Sequence, residues 1–196
     1  MIMISLNYRT FNISKGFSLI EMLLVLGVLS VLLIAAFVIY PQVRLSQQTN
    51  AEISNLLAIR ANMETTLGRV GNYTLISTTD LTQVANNARV FPESMNNGNY
   101  STSNITNVWG GSVNITPTTA TNAGVAAGWA YVIRSRDIPA EACVQMVART
   151  VSSFKTIQIN YVSGQAGENI NFGNYDLANV TEKCNRRPLT TVNFVD

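Results

Sequence analysis

From Phe17 to Tyr40 the chain is apolar on every side of a helical wheel, and Glu21 is its single charged residue. A helix of about 20 apolar residues crosses the hydrocarbon core of a bilayer. Residues 17–40 therefore predict a membrane-spanning helix. Past Tyr40 the pattern becomes amphipathic. Ile53, Leu56, Ile59, Met63 and Leu67 recur every three or four residues, with Leu57 beside them. Arg44, Glu52, Arg60 and Glu64 fall among the polar positions. That stripe predicts a helix buried along one face against a globular domain. One long helix is expected over 17–69, reaching about 80 Å at 1.5 Å per residue. Two residues weaken it. Gly27 lowers helix propensity by about 1 kcal/mol relative to Ala. Pro41 removes a backbone hydrogen bond and predicts a kink near Ile39–Tyr40. Gly27 and Pro41 thus bracket a stretch expected to bend or unwind.

The rest of the chain alternates between turn chemistry and short periodic runs. Gly68 to Tyr73 reads as the end of the helix. Thr79-Asp80 caps a short helix expected through Ala88. Residues 93–124 are rich in Asn, Thr, Ser and Gly and read as surface loops with one strand, Ser112 to Thr116. Trp129 to Arg134 reads as a buried strand. Pro139 opens a helix expected to run to about Phe154, with Cys143, Met146, Val147, Val151 and Phe154 on one face. Thr156 to Val162 alternates like a strand, Gly164 to Gly167 reads as a turn, and Thr191 to Val195 as a short final strand. The pattern is α+β: a long amino-terminal helix packed on a mainly antiparallel sheet.

Composition narrows the function. The 196 residues hold no histidine, the commonest general base and metal ligand. No nucleophile elbow, metal-ligand cluster or phosphate loop is visible. No enzyme, cofactor or metal is expected. Arg9 and Lys15 precede the apolar run, and the remaining basic and acidic side chains balance at 11 each. No basic face is concentrated enough for nucleic-acid binding. The two leading cations place the amino terminus in the cytoplasm by the positive-inside rule, with the remainder exported. Cys143 and Cys184 then lie where disulfides persist. Their number alone leaves them either free or bridged.

Glu21 demands a partner. An acid within a membrane span is a functional hypothesis in itself, because insertion at the centre costs roughly 2.5–3.5 kcal/mol. Were the chain cut between Gly16 and Phe17, a new amine would arise one helical turn from Glu21, on the same face. The pair could meet within one chain or between parallel neighbours. A secretory signal fits less well: its apolar region is shorter and ends in an A-x-A-like site.

The segment from Lys15-Gly16-Phe17-Ser18-Leu19-Ile20-Glu21 through Leu26 resembles the class III signal of type IV pilins. The resemblance implies a leader of residues 1–16, cut after Gly16 by a prepilin peptidase, and N-methylation of Phe17. It implies that Glu21 pairs with the terminal amine of an adjacent subunit, and that part of the helix melts in the filament. The long leader resembles the type IVb group, although Phe17 is the usual first residue of the type IVa group. Gly71-Asn72-Tyr73 and the segment from Ile138 to Cys143 also resemble type IVb pilins of the toxin-coregulated and PilS-like kinds. In those, two cysteines bound the carboxy-terminal region and form a disulfide, here Cys143 to Cys184.

The expected organisation is a leader (1–16), a membrane or filament-core helix (17–40), its amphipathic continuation (41–69) and a pilin head (70–196). The expected function is a major pilin subunit in a helical homopolymer, serving adhesion, aggregation or conjugative mating contact. Prepilin peptidase, an inner-membrane platform, an assembly ATPase and a secretin are the implied partners. The precursor would sit in the inner membrane and the filament outside the cell. A minor pilin or a type II secretion pseudopilin is the alternative. A signal-anchored exported enzyme or binding domain is the reading from a different class.

Overall fold

The computed structural model describes residues 16–76, 80–118, 126–160, 169–186 and 189–196. Most of the expected leader, part of the loop after Pro117 and the turn expected at Gly164–Gly167 lie outside them. The chain divides into two compact units, one ending at Gln42 and one covering Val43–Asp196.

The first unit is helical. Helix α1 (Leu19–Thr66) starts in it, and the described apolar side chains from Phe17 to Tyr40 are exposed. Among the described residues α1 is the one helix long and apolar enough to cross a membrane. Water cannot solvate such a surface favourably. It needs lipid or other apolar helices around it.

The second unit is an α+β domain. Leu56, Ile59 and Met63 of α1 are fully buried in its core, while Ile53 and Leu67 pack at the margin. Leu57 stays at the surface, 37% exposed, because its angle on the wheel takes it off the stripe. Past α1 the chain turns through a 3-10 segment, Gly68–Val70, to Gly71, whose φ of +73° suits glycine. Asp80 caps α2 (Leu81–Asn87) by accepting from the Gln83 amide at 3.1 Å. A one-turn helix, α3 (Glu93–Asn96), follows.

Among the described residues six strands form one antiparallel sheet. They are β1 (Ile105–Thr106), β2 (Ser112–Pro117), β3 (Tyr131–Pro139), β4 (Thr156–Asn160), β5 (Asn169–Ile170) and β6 (Leu189–Val195). Their spatial order is β1-β2-β3-β6-β4-β5, so the last strand of the chain pairs between β3 and β4. Helix α4 (Ala140–Thr150) follows β3 directly, and α5 (Leu177–Asn185) precedes β6. Inward side chains of the central strands, Ile115, Ile133, Ile157 and Phe194, are fully buried. A bulge between Ser135 and Ile138 breaks the β3–β6 register, with Asp137 at φ 58°.

Three sequence expectations change. Trp129 does not begin a buried strand. It is 60% exposed and lies in a turn closed by Gly128, whose φ of +79° turns the chain before β3. Glu52 is not on the polar face but fully buried. The helix opened after Pro139 ends at Thr150 rather than near Phe154. Phe154 is nonetheless buried, against the Phe194 ring at 5.1 Å between centroids. Residues 177–185, for which no element was expected, form helix α5.

Candidate functional site

The amino-terminal motif opens α1. Phe17 and Ser18 precede the helix, and Phe17 is 77% exposed. The Ser18 carbonyl accepts from the Glu21 amide at 3.0 Å and from the Met22 amide at 3.2 Å, closing the first turn. Glu21 sits in that turn, where a negative charge complements the helix dipole. Its carboxylate has no ion pair or hydrogen bond among the described residues. Phe17 is still joined to Gly16 through an amide, so the amine that would answer Glu21 arises only on cleavage. Among the described residues nothing lies within 4 Å of the Gly16 Cβ position. Gly27 and Pro41 both lie inside α1, which runs through them; Gly27 accepts from the Ser30 hydroxyl at 2.7 Å.

Cys143 and Cys184 are brought together. They form a disulfide between α4 and α5 with Cα atoms 5.8 Å apart, and both are fully buried. Met146 and Val147 of α4 and Val180 of α5 are buried in the same core. The bridge therefore ties α5 to the domain from the inside.

Sequence reasoning missed two features of the head. The first is Glu52. Its Oε2 accepts from the Val108 amide at 3.3 Å, while Oε1 has no hydrogen-bond partner, nor does the buried Trp109 Nε1. Burial pushes the carboxyl up from 4.5 to about 7, against the pull of the Val108 amide, Asn55 and Ser135. A signal was present. Glu52 falls four residues before Leu56 and seven before Ile59, on the apolar stripe itself.

The second is the carboxy terminus. Asp196 Oδ2 accepts from Arg60 Nε at 2.8 Å and from the Tyr131 hydroxyl at 3.2 Å. This links α1, β3 and the chain end. Desolvation, with Asp196 beside it, pushes the Tyr131 phenol well above its ordinary range. The hydrogen bond to Asp196 raises the Arg60 guanidinium further.

The family described as PilS N terminal matches residues 46–196, well over half of the chain. The chain belongs to the PilS family. The prokaryotic N-terminal methylation motif matches residues 12–37 of this pilin. No curated protein matches it. Its fold is similar to that of TcpA, a type IV pilin from Vibrio cholerae El Tor biotype, with a TM-score of 0.50 at 19% identity over 76% of this chain and 99% of that one. It is similar also to the type IVb pilin from Salmonella typhi, with a TM-score of 0.52 at 21% identity over 74% and 97%.

Family and fold together make this a type IVb pilin: a structural subunit on the type IV pilin fold, with a disulfide in its carboxy-terminal region. The methylation motif implies processing by prepilin peptidase and polymerisation into filaments. The apolar helix and the family fit a membrane-anchored precursor and an extracellular pilus.

Proposed function

We propose that this pilin is the major subunit of a type IVb pilus that serves adhesion, aggregation or mating contact. The observation that carries the reading is Glu21, the one charge between Phe17 and Tyr40 and in the first turn of α1, four residues after Phe17. Cleavage between Gly16 and Phe17 releases an amine, and N-methylation of Phe17 follows. The precursor lies in the inner membrane with its amino terminus in the cytoplasm. Platform protein, assembly ATPase and secretin then carry the processed subunit into the filament.

Glu21 acts in this scheme as a register mark. An apolar helix is at home in lipid and in a bundle of its own kind, so transfer between them is nearly balanced. An unpaired carboxylate in the bundle is costly, and only a neighbour at the right stagger offers the Phe17 amine. Pro41 and Gly27 lower the cost of bending the helix during that transfer.

Intact mass and amino-terminal sequencing of protein sheared from the cell surface test the reading. The expected product starts at N-methyl-Phe17, is two hydrogens lighter than its reduced form, and dominates the sheared filaments. A chain keeping residues 1–16 and found only in membranes would sink it. A processed chain present only in traces among another pilin would favour a minor pilin or pseudopilin.

A further inference from the structure

The sheet has a face turned away from Ile115, Ile133 and Phe194. There, five adjacent strands each contribute one polar side chain to a single row. The register pairs Asn114 with Arg134, Arg134 with Asn193, Asn193 with Gln158, and Gln158 with Asn169. A groove of about 1080 Å³ lies over the first four. Arg136, at the β3 bulge, lines the same groove.

This row is more than a sheet-stabilising ladder. Asn193 is 3% exposed and Gln158 is 6% exposed, yet both line the groove. Arg134 donates through Nε to Asn193 Oδ1 at 3.3 Å. Arginine can only donate, so Asn193 must present its oxygen there and keep its amide nitrogen for something else. Gln158 donates to Asn169 Oδ1 at 2.6 Å and keeps its carbonyl oxygen. Neither remaining group has a hydrogen bond among the described residues. The terminal N–H groups of Arg134 and the guanidinium of Arg136 have none either. Asp80 brings a carboxylate to the rim, where it already caps α2.

We propose that this groove binds a carboxylate-bearing oligosaccharide. The guanidinium groups of Arg134 and Arg136 hold the carboxylate, a planar fork matched to a planar anion. Asn193 and Gln158 hold ring hydroxyls. A hydroxyl both donates and accepts, so it suits a free amide nitrogen beside a free amide oxygen on the next strand, about 4.8 Å away. An acidic peptide suits the groove less. Peptides gain affinity from apolar anchors or from an open strand edge. The groove has aliphatic residues in its lining, Leu81, Ile105 and Val132 among them, but no aromatic anchor, and Arg134, Asn193 and Gln158 lie on strands paired on both sides. The inference stands apart from the filament reading, since every residue it uses belongs to the Val43–Asp196 unit.

Titration calorimetry on the full-length protein in detergent tests it, with tetragalacturonate and 3′-sialyllactose as probes and lactose as the neutral control. At least one acidic sugar should bind about tenfold or more tightly than lactose, and less tightly as salt rises. The double variant R134A/R136A should lose about tenfold while keeping its thermal midpoint. Should that variant unfold, R134K/R136K is measured instead, expected to lose about threefold or more because charge remains without the fork. Equal affinity for acidic and neutral sugars, or variants that bind as wild type, would overturn the proposal. So would N-acetyl-tetraglutamate binding as tightly as the sugars, which would mark a general anion or peptide groove.

Discussion

Glu52 is the residue where helical spacing and side-chain chemistry conflict most directly. The stripe of α1 takes it into the core, and desolvation then raises its carboxyl from 4.5 to about 7. Because the folded value lies above the unfolded one, the folded state holds the proton more tightly. The stability tied to that proton is present in full below pH of about 4.5 and is lost as pH rises through about 7. The rise corresponds to roughly 3 kcal/mol at about 1.4 kcal/mol per tenfold change in proton affinity. Glu52→Gln keeps the shape and removes the titration. Calorimetry of the full chain in detergent should show the variant with the higher thermal midpoint at pH 8 and a near-equal one at pH 4. A variant that keeps the wild-type pH dependence would assign the titration to another group. Asn107 shows the opposite case, a buried polar residue fully used. Its oxygen accepts from the Trp109 and Gly111 amides and its nitrogen donates to Ser135 Oγ and the Arg136 carbonyl. A Cβ on Gly111 would overlap that same carbonyl, so only glycine lets the β1–β2 turn approach β3.

At the scale of elements, α5 depends on its disulfide. Its buried side chains are few, Val180 and Cys184, and the bridge to α4 makes up for them. In the chain-entropy treatment a loop of this length stabilises by about 4 kcal/mol. The double variant C143S/C184S should therefore lower the thermal midpoint by roughly 10 °C in a domain of this size. A fall of only a degree or two would mean that α5 is held by packing alone. Helix α1 gives the second expectation. Pro41 leaves one backbone carbonyl without its helical donor. Pro41→Ala restores that bond and stiffens the helix. If bending there serves assembly, the variant should form markedly fewer filaments, counted by electron microscopy, with an unchanged midpoint for the head. Wild-type filament numbers would remove Pro41 from the assembly scheme.

At the scale of the whole molecule, one unit exposes an apolar helix and the other carries a folded core. The first is unfit for water, and polymerisation is the means by which a pilin covers it. The balanced charge of residues 17–196 removes a net repulsion between copies. Glu21→Ala should yield protein that is cleaved and folded, with the disulfide formed, but retained in the membrane fraction with filaments lost. Filaments of wild-type number and length from this variant would reject the register role.

The amino-terminal half was legible because its signals are local. An apolar run, a lone acid and a three-four spacing mean the same in any tertiary setting, since the helix satisfies its own backbone. The α4 face, the strand at β2 and the alternation of β4 and β6 were legible for the same reason. Strands β1 and β5, of two residues each, were not, because only a neighbour's hydrogen bonds make them strands. Nor was α5, whose burial rests on a bond to Cys143 41 residues earlier. The row from Asn114 to Asn169 exists only in the register of five strands drawn from distant parts of the chain. The amino-acid order alone carries the membrane-length apolar run with Glu21 in its first turn, and the matches over residues 12–37 and 46–196 that place the chain in its family. Only the fold brings Glu52 Oε2 to the Val108 amide, and Arg134 and Asn193 into one groove. Each of those depends on contacts between distant residues, which no local pattern encodes.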